Sequence, residues 1–132
     1  MTEITIVGGL PFVQASLVFA SRKIVLERCL IDTGSYSTLV AADMIANAGV
    51  VYEPNDRIRQ IRGVGGTEFV FTKTVERIAV NDLFISDFVI EVGLMDYGFE
   101  LDAILGMDFL MATSVSIDLK NMRLGVASLV SG

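Results

Sequence analysis

Apolar and polar residues alternate along most of the chain with a period of two, in short runs separated by turn formers, which is the pattern of half-buried strands. Residues 12–19 and 24–31 flank Ala20-Ser21-Arg22-Lys23 and predict a hairpin. Further strands are predicted at 58–61, 68–72, 75–80, 83–92, 114–119 and 122–126. Asn81-Asp82 and Lys120-Asn121 supply tight turns between them, since Asn and Asp tolerate the left-handed backbone that short hairpins need. Two helical segments are predicted. One covers 39–48, behind Ser37-Thr38 as caps and stopped by Gly49; the other is a short turn from Met107 with Asp108 in its first turn. Residues 1–9 and 127–132 carry no clear strand pattern. The expectation is a mainly β domain over 1–132 with one or two short helices.

Composition narrows the chemistry. A chain of 132 residues, 52% hydrophobic and 20% charged, fits one folded domain with an adequate core. Ten basic against sixteen acidic residues give a net charge of -6, which argues against a nucleic-acid backbone or an anionic membrane surface as partner. There is no His and only one Cys, Cys29, set in an apolar strand. His-based triads, Cys-His dyads and the common zinc ligand sets are thereby removed, and acid-base chemistry falls to carboxylates. No metal or organic cofactor is expected. Residues 4–21 are uncharged, but Glu3 makes the start acidic and Gly8-Gly9, Pro11 and Gln14 interrupt any apolar helix. No run approaches the roughly 18 apolar residues of a membrane span. With one unpaired thiol, a soluble cytoplasmic protein is expected.

The sharpest local signal is Leu30-Ile31-Asp32-Thr33-Gly34-Ser35, a carboxylate where an apolar strand ends in a glycine turn. Burying that group is costly unless N–H and hydroxyl donors of the turn satisfy it, and Thr33, Gly34 and Ser35 supply such donors. From these residues alone, a functional carboxylate and a simple Asx-type turn closing a hairpin are equally consistent. Two further segments favour the first: Arg62-Gly63-Val64-Gly65-Gly66-Thr67 on a predicted hairpin, and Ile104-Leu105-Gly106-Met107-Asp108-Phe109-Leu110 ahead of a helical turn.

In that order, Asp-Thr-Gly-Ser after an apolar pair, a glycine-rich hairpin tip and Ile-Leu-Gly before a short helix resemble the retropepsin-like aspartic proteases. The stretch from Leu105 through Ser116-Ile117-Asp118-Leu119-Lys120 is especially similar to the cellular branch that includes the DNA-damage-inducible protein proteases and small bacterial homologues. The resemblance implies a closed β-barrel acting as a C₂ homodimer, with Asp32 as the catalytic carboxylate, Thr33 bracing the loop against its counterpart and Gly34 admitting substrate. It implies that the Ser35 hydroxyl supports the outer carboxylate oxygen. It makes Gly63, Val64, Gly65 and Gly66 the flap tip, and packs Leu105 and Gly106 behind the active-site loop. Arg62 departs from the pattern, since an apolar residue is more usual there.

One such motif is insufficient for peptide hydrolysis. One carboxylate must deprotonate water while a second, protonated, polarises the scissile carbonyl, and two carboxyls a few ångströms apart share a single proton. A chain with one Asp-Thr-Gly therefore requires a second Asp32 from a partner across a two-fold axis. Asp102, Asp108 and Asp118 are poor substitutes within the chain, because each reads as a turn, helix-start or strand-edge residue. The expected activity is that of an aspartic endopeptidase on peptide or protein substrates. The rival expectation is a dimeric peptide-binding module without turnover; a β-barrel ligand binder, monomeric and with Asp32 only a turn residue, is a third. Cys29, two residues from Ile31, reads as core, and Glu53, Asp56, Arg57, Arg59 and Arg62 read as a solvated face. Asp96-Tyr97-Gly98 reads as a loop near the substrate groove.

Overall fold

The computed structural model describes residues 2–63 and 66–126. Two short strands open the chain, β1 (Thr2–Glu3) and β2 (Thr5–Val7), where the sequence carries no readable pattern. β3 (Leu10–Phe19) and β4 (Arg22–Ile31) form the first hairpin. Its turn is only Ala20-Ser21, both with left-handed backbone (φ 49° and 65°), so Arg22 and Lys23 belong to the strand. Such two-residue turns follow the natural right-handed twist of the strands they join.

The predicted helix over 39–48 is corrected at its start. Leu39–Ala41 is a strand, β5, buried throughout because the strands Leu83–Gly93 and Ala103–Leu105 flank it. A strand covered on both sides shows no alternation, so its apolar run reads as readily as helix. Only α1 (Ala42–Ile45) and a 3₁₀ turn, Ala46–Ala48, follow, and Gly49 stops them in the left-handed region (φ 88°). Neither Ser37 nor Thr38 caps α1, which has no side-chain cap.

β6 (Ile58–Gly63) and β7 (Gly66–Val80) form a second hairpin, and β8 (Leu83–Gly93) returns after Asn81, whose φ of 52° makes the turn. β7 is one strand of 15 residues where the sequence predicts two. The apparent break is Lys73, a buried cation held at 2.7 Å by both Glu53 and Asp56. Burial alone pulls the Lys73 amine down, but the two carboxylates outweigh it and leave it above its ordinary value. The hydrogen bond from Lys73 holds Asp56 below the usual carboxylate range. Glu53 and Asp56 are thus anchors for a core-facing lysine and not merely a solvated face. The chain ends with β9 (Ala103–Leu105), α2 (Met107–Ala112), β10 (Ser116–Asp118) and β11 (Arg123–Gly125).

The main sheet runs β2-β3-β4-β9-β5-β8-β7-β6, and an additional β3–β7 pairing closes β3, β4, β9, β5, β8 and β7 into a ring. β1, β11 and β10 form a separate small sheet. Adjacent residues of the ring strands point into two apolar clusters on opposite faces, as the strand pleat demands. Ile31, Val40, Phe71 and Leu105 pack with the first, which contains Leu17, Cys29 and Phe109. Leu30, Leu39, Val70 and Ile104 pack with the second, which contains Phe12 and Leu101. Among the described residues no helix is long and apolar enough to cross a membrane.

Cys29 is fully buried in the first cluster, and burial, with the charge of Asp102 beside it, pushes its thiol up to about 12. The native protein should therefore resist aromatic disulfide reagents at neutral pH and react at one site only when unfolded. Because the folded value lies above the 9.0 of the free thiol, this group's contribution to stability is intact below pH 9 and lost as pH rises toward 12. Prompt labelling of the folded protein, or an alkaline stability limb unaffected by Cys29→Ala, would contradict this.

Candidate active site

Asp32 follows β4 directly, and its place is set by backbone. β4 and β9 run parallel with Ile31 opposite Leu105, and the Asp32 N–H donates to the Leu105 carbonyl at 3.1 Å. The chain then turns tightly: Gly34 N–H donates to Asp32 Oδ1 at 2.9 Å and Ser35 N–H to the Asp32 carbonyl at 3.2 Å. An added Cβ at Gly34 would stand 3.2 Å from Asp32 Oδ1, so the bare residue keeps the carboxylate uncrowded. Asp32 is half-buried, while Thr33 and Gly34 are exposed. The Ser35 hydroxyl donates to the Ser37 carbonyl at 2.8 Å.

Behind this loop lies a lock the sequence reading missed. Ser35 and Tyr36 carbonyls accept the Met107 and Asp108 N–H groups at 2.8 and 3.3 Å. Thr38, completely buried, donates through its hydroxyl to Asp108 Oδ1 at 2.7 Å and through its N–H to Oδ2 at 3.1 Å. The same hydroxyl accepts the Gly106 N–H at 3.2 Å. At Gly106 a Cβ would meet the Ser37 carbonyl oxygen at 2.2 Å, so no side chain fits. Leu105 is fully buried in the first cluster. Asp108 does sit in the first turn of α2, where it also accepts the Phe109 N–H at 2.8 Å, but its larger task is to hold Thr38.

The other acidic residues weighed in the sequence are committed elsewhere. Asp102 Oδ2 accepts the Arg28 N–H at 3.0 Å at the far end of the β4–β9 pair, and Asp118 takes both the backbone and side-chain N–H groups of Asn121. Among the described residues Asp32 has no carboxylate companion in this chain, and no group of three or more potential metal ligands converges.

Asp32 forms part of a cleft of about 320 Å³ with Leu10, Pro11, Leu30, Tyr97 and Phe99. Tyr97, from the loop expected near a groove, thus lines the same cleft as Asp32. A larger, polar depression of about 570 Å³ adjoins the loop at Tyr36 and Ser37 and contains Arg59, which faces the buried Glu91 at 3.0 Å without aiming an N–H at it. The β6–β7 hairpin ends with Arg62 opposite Thr67 and Gly63 opposite Gly66, Gly66 having a φ of 105°. Arg62 is exposed; Val64 and Gly65, assigned to the flap tip by resemblance, lie outside the described residues.

Residues 26–112 match the sequence profile of the family described as "gag-polyprotein putative aspartyl protease". The fold is similar to the crystal structure of a retropepsin-like aspartic protease from Rickettsia conorii, with a TM-score of 0.67 and 17% identity over 94% of this chain and 87% of that one. No curated protein sequence matches the chain at a significant level.

The lock behind the loop can be broken selectively. Thr38→Val removes a charge-assisted hydrogen bond and an acceptor from a buried site and should cost about 2 kcal/mol in urea unfolding, whereas Thr38→Ser should cost less than half of that. Gly106→Ala should leave little folded protein at all. Wild-type stability in either Thr38→Val or Gly106→Ala would show that the lock carries no load.

Proposed function

This chain belongs to the gag-polyprotein aspartyl protease family, and we propose that it is an endopeptidase that works as a two-fold homodimer, each protomer contributing Asp32 to one active site. The observation that carries this reading is a half-buried carboxylate in an apolar cleft, fixed by Gly34 N–H through one oxygen, with no second carboxylate lining that cleft among the described residues. Hydrolysis by carboxylates needs two, one to take the proton from water as its oxygen attacks the scissile carbonyl carbon, the other to donate to the carbonyl oxygen. Collapse of the tetrahedral intermediate then breaks the C–N bond as the amine nitrogen is protonated. A symmetry axis passing beside Asp32 supplies the missing group.

Exposed apolar surface around the site supports a partner: Tyr36 is 80% and Phe99 46% exposed, and both flank the Asp32 loop or cleft. In this reading Thr33 braces the two loops against each other, and Gly34 leaves room for substrate to lie as an extended strand beneath the flap of Arg62 to Gly66. The unpaired, buried Cys29 favours a reducing, cytoplasmic setting, which cell fractionation would test.

Asp32→Asn should abolish cleavage of a peptide library while the dimer stays folded in sedimentation. Wild-type activity should be bell-shaped in pH on the acidic side of neutrality and be lost at one pepstatin-type inhibitor per dimer. Full activity in Asp32→Asn would sink the assignment. A dimer that binds peptides and never cuts them would instead establish the non-catalytic module.

A further inference from the structure

We infer that Glu68 of the flap strand is a positioning residue: by accepting the Met95 N–H and the Tyr97 hydroxyl it ties β7 to the 94–98 turn and holds the Tyr97 ring as a wall of the cleft at Asp32. This deepens the endopeptidase reading and rests on it for its kinetic consequence, because it identifies what fixes the apolar subsite beside the carboxylate.

Several independent features converge on that carboxylate. Glu68 Oε1 takes the Tyr97 hydroxyl and Oε2 takes the Met95 N–H at 3.4 Å, so its two oxygens are divided between side chain and backbone of one turn. The turn needs outside support, since Met95 holds a left-handed backbone (φ 55°) that its side chain disfavours, whereas the other left-handed position of the turn is a glycine, Gly98 (φ 84°). Gly93 lies beside this connection: a Cβ there would crowd Val70 Cγ1 at 2.9 Å and would only touch Glu68 Oε2, at 3.4 Å. Opposite Glu68 on the flap hairpin is Ile61, which packs on the second cluster together with Tyr97. Flap strand, turn and cleft wall are thus joined by one side chain. Burial and the adjacent Glu68 carboxylate raise the Tyr97 phenol above its ordinary value, which keeps it a donor.

A hydroxyl donating to a half-buried carboxylate orients a ring more firmly than packing alone, because the charged bond is directional and is lost if the ring swings out. The width of the cleft, and so the size of apolar side chain it accepts, then depends on Glu68, a residue that does not line it.

Three variants of the whole protein separate the possibilities. Tyr97→Phe keeps the ring and removes the bond; Glu68→Ala removes both acceptors; Glu68→Gln keeps an acceptor oxygen and should rescue in part. Hydrogen exchange of residues 94–98 should quicken about tenfold in Glu68→Ala and by less in Glu68→Gln. With a peptide carrying an apolar residue at the cut, KM should rise about tenfold in Tyr97→Phe and Glu68→Ala, with kcat changed less than about twofold. A purely structural loss would lower the active fraction and leave KM alone. Unchanged exchange and unchanged KM in Tyr97→Phe, the variant least able to disturb folding, would overturn the inference. Should the wild-type protein cut no peptide, the endopeptidase reading falls while the exchange data still decide whether Glu68 holds the turn.

Discussion

The Asp32 loop stands because one residue behind it has no side chain. Gly106 lets the Ser37 carbonyl come so close that a methyl group there would be driven into it, and this contact lets two loops lie back to back as a single layer. Everything that positions Asp32 follows from that closeness. Leu105 can accept the Asp32 N–H, the Ser35 and Tyr36 carbonyls can receive the first N–H groups of α2, and Thr38 can reach Asp108. A buried hydroxyl or carboxylate left unpaired would cost several kcal/mol, roughly 1–3 for each neutral group, so these pairings are a condition of folding and not an addition to it. The Asp32 carboxylate joins the arrangement through Oδ1 alone, which accepts the Gly34 N–H.

The sheet explains why the loop emerges where it does. Along β4, Cys29 and Ile31 enter one cluster and Leu30 the other, so the strand is pinned on both faces up to its last residue. The parallel β4–β9 pair ends at the same level, and Asp32 is the first position beyond the pinned region. Rigidity on one side of the carboxylate and a cleft of modest size on the other are two results of the same register. The β6–β7 hairpin belongs to that register as well, since Ile61 and Val70 carry the second cluster outward from β5 to β6.

How much of this could be read in the sequence depended on the range of each interaction. Strands with one wet face, such as β8, show their period directly, and the Asp32 turn announces itself because its donors, Gly34 and Ser35, lie within three residues. β5 and β9 escaped because a three-residue strand flanked on both sides has no polar face to alternate with. β7 looked broken at Lys73 because the carboxylates that make a buried lysine tolerable, Glu53 and Asp56, are about twenty residues away. Thr38 and Asp108 are separated by seventy positions, and nothing local distinguishes their pairing from a pair of helix caps. The bond from the Ser35 hydroxyl to the Ser37 carbonyl is local, but a hydroxyl in a turn has several acceptors in reach and the sequence does not say which it takes.

What the chain leaves unfinished is as informative as what it completes. Asp102, Asp108 and Asp118 each have donors of their own, and removing any of them to serve Asp32 would strand an N–H or a hydroxyl elsewhere. None of these three is free to serve Asp32, which fits a hydrolytic site of the proposed kind being made by association. In the proposed reading such a site would exist only to the extent that a dimer does, and the equilibrium between protomers would set activity together with the chemistry. An exposed Tyr36 and Phe99 beside the cleft fit that economy, because the apolar surface that would favour association lies next to the group that needs it.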